Sequence, residues 1–146
     1  MGQENRATLT LRQAELADWA FWQAIEPHCK AEQFAKKTQS GQAFLICRGQ
    51  KPAGLMDYVL LWDKLPFLNC LFVLPESRGQ GAGRFAMGAW EKEMQKVGYP
   101  MVLLSTQADE EAQRFYRRLG YRDCGCLILD RCPLAQPAEL FFCKIL

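Results

Sequence analysis

Leu71-Phe72-Val73-Leu74-Pro75-Glu76-Ser77-Arg78-Gly79-Gln80-Gly81-Ala82-Gly83-Arg84 is the stretch from which the rest of the chain is read. An apolar run meets a proline stop, then a basic, glycine-rich turn, then a helical pattern through Phe85-Ala86-Met87-Gly88-Ala89-Trp90 towards Val97. A strand feeding such a turn into a helix N-terminus is a device for holding an anion. The first-turn N–H groups have no partner within the helix, and the helix dipole favours negative charge beside them. Glycines at 79, 81 and 83 let the backbone approach a ligand and point successive N–H groups into one concavity. Arg78 and Arg84 add cationic donors suited to phosphate. The stretch therefore predicts a pyrophosphate-bearing ligand at residues 78 to 84, Gln80 and Ala82 included.

Two common phosphate motifs fail on spacing. A P-loop ends in Gly-Lys-Ser/Thr, whereas Gly83 is followed by Arg84-Phe85. A dinucleotide fingerprint beginning at Gly79 requires glycine at position 84, and no clear βαβ unit surrounds the strand.

Arg78-x-x-Gly81-x-Gly83 instead resembles the Q/R-x-x-G-x-G/A signature of GCN5-related N-acetyltransferases. A second segment, Ala112-Gln113-Arg114-Phe115-Tyr116-Arg117-Arg118-Leu119-Gly120-Tyr121, looks like that family's A-x-x-F-Y-x-x-x-G-F/Y segment, in the right order and separation. The resemblance is motif-level from about Leu68 to Tyr121 and architectural elsewhere. Ala112, Phe115, Tyr116 and Leu119 also follow the i, i+3, i+4, i+7 spacing of a core face, so most of that face is expected to pack.

The resemblance implies an α/β (α+β) fold: a mixed, mostly antiparallel twisted sheet flanked by helices, with acyl-CoA between two splayed central strands. It implies main-chain hydrogen bonds from Leu71, Phe72 and Val73 to the pantetheine arm, and a pyrophosphate held at 78 to 84. Ala112 and Phe115 join the donor site by the same resemblance, and Tyr116 matches the family's general acid. Acetyl-CoA is then the co-substrate, with no metal. Many relatives carry a basic Glu early in the strand before the glycine turn; here Phe67 stands there, with Asn69 next on the same parity. Asn69 is a residue that can orient a water. Asp57, embedded in Leu55-Met56-Asp57-Tyr58-Val59, is the better base, unless it is merely a solvent-facing residue of a one-sided sheet.

The implied activity is N-acetyl transfer from acetyl-CoA to a primary amine by direct attack in a ternary complex, with Tyr116 donating to the departing sulfur. A non-catalytic acyl-CoA-binding module is the main alternative, and a nucleotide- or NAD-binding domain using the same turn is a third. The acceptor is a small-molecule or peptide amine that the sequence does not identify.

At 146 residues the chain is expected to form a single domain over 1–146, with ordinary globular composition. A net charge of +2 from dispersed basic residues argues against nucleic-acid binding. Met1-Gly2-Gln3-Glu4-Asn5-Arg6 precedes no signal-peptide core, and Arg6 stands where N-myristoylation wants Ser or Thr. No uncharged run approaches the ~20 residues that span a bilayer, so the expected setting is cytoplasmic without membrane attachment, as monomer or homodimer. The seven cysteines, an odd number without a secretory signal, are expected to be reduced and mostly buried. Cys124-x-Cys126, with Cys132 and Cys143, lacks the C-x2-C knuckle of a zinc site.

Periodicity predicts the remaining elements. Strands are expected at 7–12, 42–48, 53–62, 67–74, 101–105, 121–130 and 138–146, and helices at 15–25, 31–38 and 81–97. A further helix carries Tyr116, opened by a capping box at Thr106-x-x-Asp109. Met87, Trp90, Met94 and Val97 are predicted on the buried face of the third helix. Trp19, Phe21, Trp22 and Phe34 are read as core before pocket, and His28 as a surface or capping group.

Overall fold

A computed structural model describes residues 7–146; the Met1–Arg6 reading lies outside them. The order is β1 (Leu9–Gln13), α1 (Trp19–Ile25), α2 (Ala31–Gln39), β2 (Ala43–Arg48), β3 (Lys51–Leu61) and β4 (Leu65–Val73). It continues with α3 (Ala82–Val97), β5 (Met101–Gln107), α4 (Ala112–Arg118), β6 (Arg122–Leu127) and β7 (Glu139–Ile145). The strands form one sheet in the order β1-β2-β3-β4-β5-β7-β6. The pairs β1–β2, β2–β3, β5–β7 and β6–β7 are antiparallel, and β4–β5 is parallel. This is the mixed, mostly antiparallel α/β architecture expected from the sequence.

The chain divides into two compact units, each drawn from two stretches of sequence. One comprises residues up to Tyr58 together with Asn69–Trp90; the other comprises Val59–Leu68 and Glu91–Leu146. In the first, α1 and α2 lay Trp22 and Phe34 on Ala43, Leu45, Cys47 and Leu55, with Trp19 and Phe21 packed against this core. The Trp22 and Phe34 ring centroids lie 5.1 Å apart, and Trp19 stands 5.4 Å from Phe34. Trp22 and Phe34 are core residues, as their spacing predicted, and Trp19 and Phe21 are partly buried against them. His28 is exposed. In the second unit, β7 pairs with β5 along its length, from Met101↔Ile145 to Gln107↔Glu139, and β6 closes the edge.

Several local readings need correction. The Thr106–Asp109 capping box does not form: Thr106 is a buried residue of β5, and α4 starts at Ala112. Glu110 instead closes the turn after β5, its Oε1 accepting the Gln107 N–H at 3.2 Å, and α4 has no side-chain cap. α3 buries Ala82, Ala86, Met87, Trp90 and Met94, but Val97 is 67% exposed in the last turn. All seven cysteines are free, yet only Cys47 is buried, and Cys124 and Cys126 are exposed. β6 pairs only with β7 and is exposed along its length, so apolar residues there are not core residues. The proline after β4 begins a 3-10 turn, Pro75–Ser77, before the glycine turn.

Candidate functional site

The first unit carries the glycine turn. Gly79 and Gly81 adopt φ of +74° and +81°, the left-handed region in which a side chain is strained. A Cβ built on either meets nothing within 4 Å, so the turn borders open space. The α3 ladder opens with the Phe85 N–H bonding to Gly81 O at 2.9 Å. The preceding N–H groups of the first turn belong to the orphan donors that every helix start presents. Arg84 is exposed beside them, and Ala82 is buried beneath. Gln80 is exposed and its amide donates to Glu76 O at 3.4 Å.

Arg78 does not simply extend towards an anion. Its Nε donates to Val73 O at 2.9 Å, and its guanidinium lies 5.2 Å over the Phe72 ring. The side chain therefore braces the end of β4, while its terminal N–H groups keep their positive charge at the turn. Leu71, Phe72 and Val73 form the end of β4, each partly exposed. The parallel ladder with β5 covers Phe67↔Leu103 and Leu68↔Leu104; β4 runs on to Val73 and β5 to Gln107.

Asp57, Asn69 and Lys37 come together in the same unit. Asp57 is not solvent-facing: it is 2% exposed, on the β3 face that also buries Ala53 and Leu55. Its Oδ2 accepts from Lys37 Nζ of α2 in a short ion pair and from Asn69 Nδ2 of β4 at 3.1 Å. Burial pushes the Asp57 carboxyl above the usual carboxylate range, against the opposing pull of Lys37 and Asn69. Nearby, Glu26 Oε1 accepts from the Cys70 thiol at 3.2 Å. Burial first, and then Glu26, raise the pKa of that thiol. Sequence reading missed Lys37, Glu26 and Cys70. Lys37 had a signal: it lies three residues after Phe34, on the buried flank of α2.

The second unit carries Tyr116. It is 8% exposed, edge-on to Phe115 at 5.0 Å and to Tyr121 at 5.9 Å. Its carbonyl accepts the N–H groups of Leu119 and Tyr121, which ends α4 in a tight turn. Ala112 and Phe115 are half-buried on α4. Arg117 ties this helix to the β6–β7 pair: it bonds Asp123 at 2.8 Å and lies 4.9 Å over Phe142. Tyr121 donates to Glu91 at 3.0 Å, and burial, then Glu91, push its phenol pKa up. Phe67, at the position where a basic Glu was expected, packs its ring 5.9 Å from Phe141.

Both the fold and the two motif segments now point to one class of protein. The model of the Acetyltransferase (GNAT) family matches residues 10–121, and the chain belongs to that family. Members of that family use acetyl-CoA as the acetyl donor. Among solved structures, the Escherichia coli ribosomal-protein-S18-alanine N-acetyltransferase matches with a TM-score of 0.77 at 18% identity, covering 94% of each chain. The Brucella melitensis ribosomal-protein-alanine N-acetyltransferase matches with a TM-score of 0.78 at 19% identity, covering 94% of this chain and 99% of its own. The Vibrio cholerae spermidine/spermine N-acetyltransferase SpeG, solved in mutant forms, gives a TM-score of 0.78 at 16% identity, covering 94% of this chain and 95% of its own. At these identities the likeness establishes the fold. No curated protein sequence matches significantly. Among the described residues, no helix is long and apolar enough to cross a membrane.

Proposed function

We propose that the chain, as a single acyltransferase domain over residues 1–146, moves an acetyl group from acetyl-CoA to a primary amine by direct attack in a ternary complex. The observation that carries this reading is the glycine turn: left-handed Gly79 and Gly81 face open space at the start of α3, within a chain of the acetyltransferase family. The donor group is compatible with this cradle, because nothing within 4 Å of either glycine competes for the space. The first-turn N–H groups of 79 to 84 and the charge of Arg78 and Arg84 hold the pyrophosphate. Leu71, Phe72 and Val73 meet the extended arm through their backbone, with Ala112 and Phe115 lining the donor from α4. No metal takes part.

Bound acetyl-CoA supplies an activated thioester. An alkyl amine has a pKa near ~10.4, so a base must accept its proton, directly or through water. Asp57 fills that role in this reading, supported by the raised carboxyl and by its bond to Asn69, which orients the water. Tyr116 gives its phenolic proton to the departing thiolate, since a phenol of pKa ~10 stays protonated at neutral pH. The amine ends as an amide and the donor as free CoA thiol.

The acceptor is a small-molecule or peptide amine. Two relatives of the same fold are named for acetylating a ribosomal-protein alanine and one for spermidine/spermine, which supports an amine acceptor for this chain without choosing between the classes. A cytoplasmic setting, as monomer or homodimer, accompanies this reading. Calorimetric titration with acetyl-CoA, ATP and NADH, followed by thiol release across peptide N-termini and polyamines, tests it. Binding of acetyl-CoA alone with amine-dependent thiol release is the expected result. Acetyl-CoA failing to bind would overturn the reading; binding without turnover on any amine would leave only an acyl-CoA-binding module.

A further inference from the structure

The group around Asp57 is built from three elements that are distant in sequence. Lys37 reaches it from α2, Asn69 from β4, and Asp57 itself lies inside β3. Both partners bind Oδ2, and neither occupies Oδ1. The burial is asymmetric: the Asp57 side chain is 2% exposed and that of Lys37 is 23% exposed. A nearly sealed carboxylate is costly to ionise unless an opposite charge compensates it. A lysine with its stem on the protein and part of its head in water provides that charge at little desolvation cost to itself. Because both donors converge on one oxygen, they also fix the rotation of the carboxyl and aim Oδ1 away from themselves.

We propose that Lys37 is a positioning residue that keeps Asp57 ionised and turned so that Oδ1 is the proton-accepting oxygen. This rests on Asp57 being the base proposed above. In this role Lys37 acts through Asp57, which it contacts directly, rather than on the acetyl group or the amine. Asn69 shares the orienting part but supplies no charge, so the two partners are separable. Among the described residues, the other ionisable groups acting on or near the carboxyl are Glu26, just after α1, whose charge opposes ionisation of Asp57, and Cys70 on β4, whose thiol bonds Glu26. Lys37 is thus the cation that offsets Glu26 as well as burial.

The test is the pH dependence of amine-saturated turnover in the full chain, for Lys37→Met, Lys37→Arg and Asp57→Asn. Removing the ammonium takes away what favours the carboxylate, so the Asp57 pKa rises and the acidic limb of kcat moves up by ~1 pH unit or more. The KM for acetyl-CoA stays at its wild-type value. Lys37→Arg restores the charge and brings the limb back towards wild type. Asp57→Asn lowers kcat at every pH and loses the limb. If Lys37→Met loses activity only in proportion to its folded fraction, with the limb unmoved, the residue is structural and the proposal falls. If Lys37→Met does not fold, Lys37→Arg decides alone. A wild-type limb there supports the charge requirement, and a limb displaced by about one pH unit despite a retained cation overturns it. Wild-type kcat in Asp57→Asn instead overturns the base reading itself, which separates the two failures.

Discussion

Gly54→Ala is expected to damage both stability and donor binding, although it adds only a methyl group. Gly54 lies in β3 opposite Ile46. A Cβ there would stand 2.3 Å from Phe72 O, 3.1 Å from Val73 Cα and 3.2 Å from Ile46 Cδ1. Ordinary carbon–oxygen contacts begin near ~3.3 Å, so β3 and the end of β4 must part by about 1 Å. The obstacle is backbone, which cannot swing aside as a side chain does. The adjacent bond from Leu74 N–H to Ala53 O, 2.8 Å long, would be stretched by the same movement. Overpacking of this kind costs ~1–3 kcal/mol, and a backbone clash belongs at the upper end. Replacing glycine also stiffens the unfolded chain, which returns ~0.4–1 kcal/mol. A net loss of about 2 kcal/mol lowers Tm by ~4–8 °C for a domain of this size. Since Phe72 and Val73 are the proposed contacts of the donor arm, acetyl-CoA affinity should fall ~10-fold as well, equivalent to ~1.4 kcal/mol. Scanning calorimetry and acetyl-CoA titration of Gly54→Ala measure both. Gly88→Ala serves as the control, because nothing lies within 4 Å of its Cβ and α3 gains a better helix former. A Gly54→Ala protein with wild-type Tm and affinity would refute the steric reasoning.

Three further outcomes follow from the same geometry. Gly81→Trp fills the open space at the start of α3 and should abolish acetyl-CoA binding by titration; the φ of +81° adds only ~1–2 kcal/mol of strain, so the protein stays folded. Tyr116→Phe should lower kcat by ~10²-fold with acetyl-CoA affinity nearly unchanged, and wild-type turnover would remove its hydroxyl from the mechanism. Thr106→Val should leave stability unchanged or raise it by ~1 kcal/mol in thermal melts, because the Thr106 hydroxyl is buried without a hydrogen-bond partner among the described residues.

The anion-holding turn was legible because it is local chemistry. Glycines, a proline stop and arginines within one short stretch constrain the backbone whatever surrounds them. The same holds for the Ala112–Tyr121 segment, and the two together led to the acetyltransferase fold. Helical spacing placed Trp22, Phe34, Met87, Trp90 and Met94 in the interior, where they are found. It failed at Val97 because periodicity says which residues share a face, not whether a neighbour covers the last turn. The cysteines failed in a similar way. A small apolar residue is buried only if something covers its face of the sheet, and β6, which carries Cys124 and Cys126, is exposed along its length.

The family, the order of the elements and the backbone device at 78 to 84 are readable from the residues alone, because each depends on residues close together in the chain. Tertiary structure alone decided the fate of Asp57. Alternation allowed it to face solvent or the interior; the fold buries it and brings Lys37 of α2 to its oxygen. The turn of Arg78 onto Val73 O was decided in the same way. A charged side chain takes whichever partner the fold delivers, and that partner cannot be read from its neighbours in sequence.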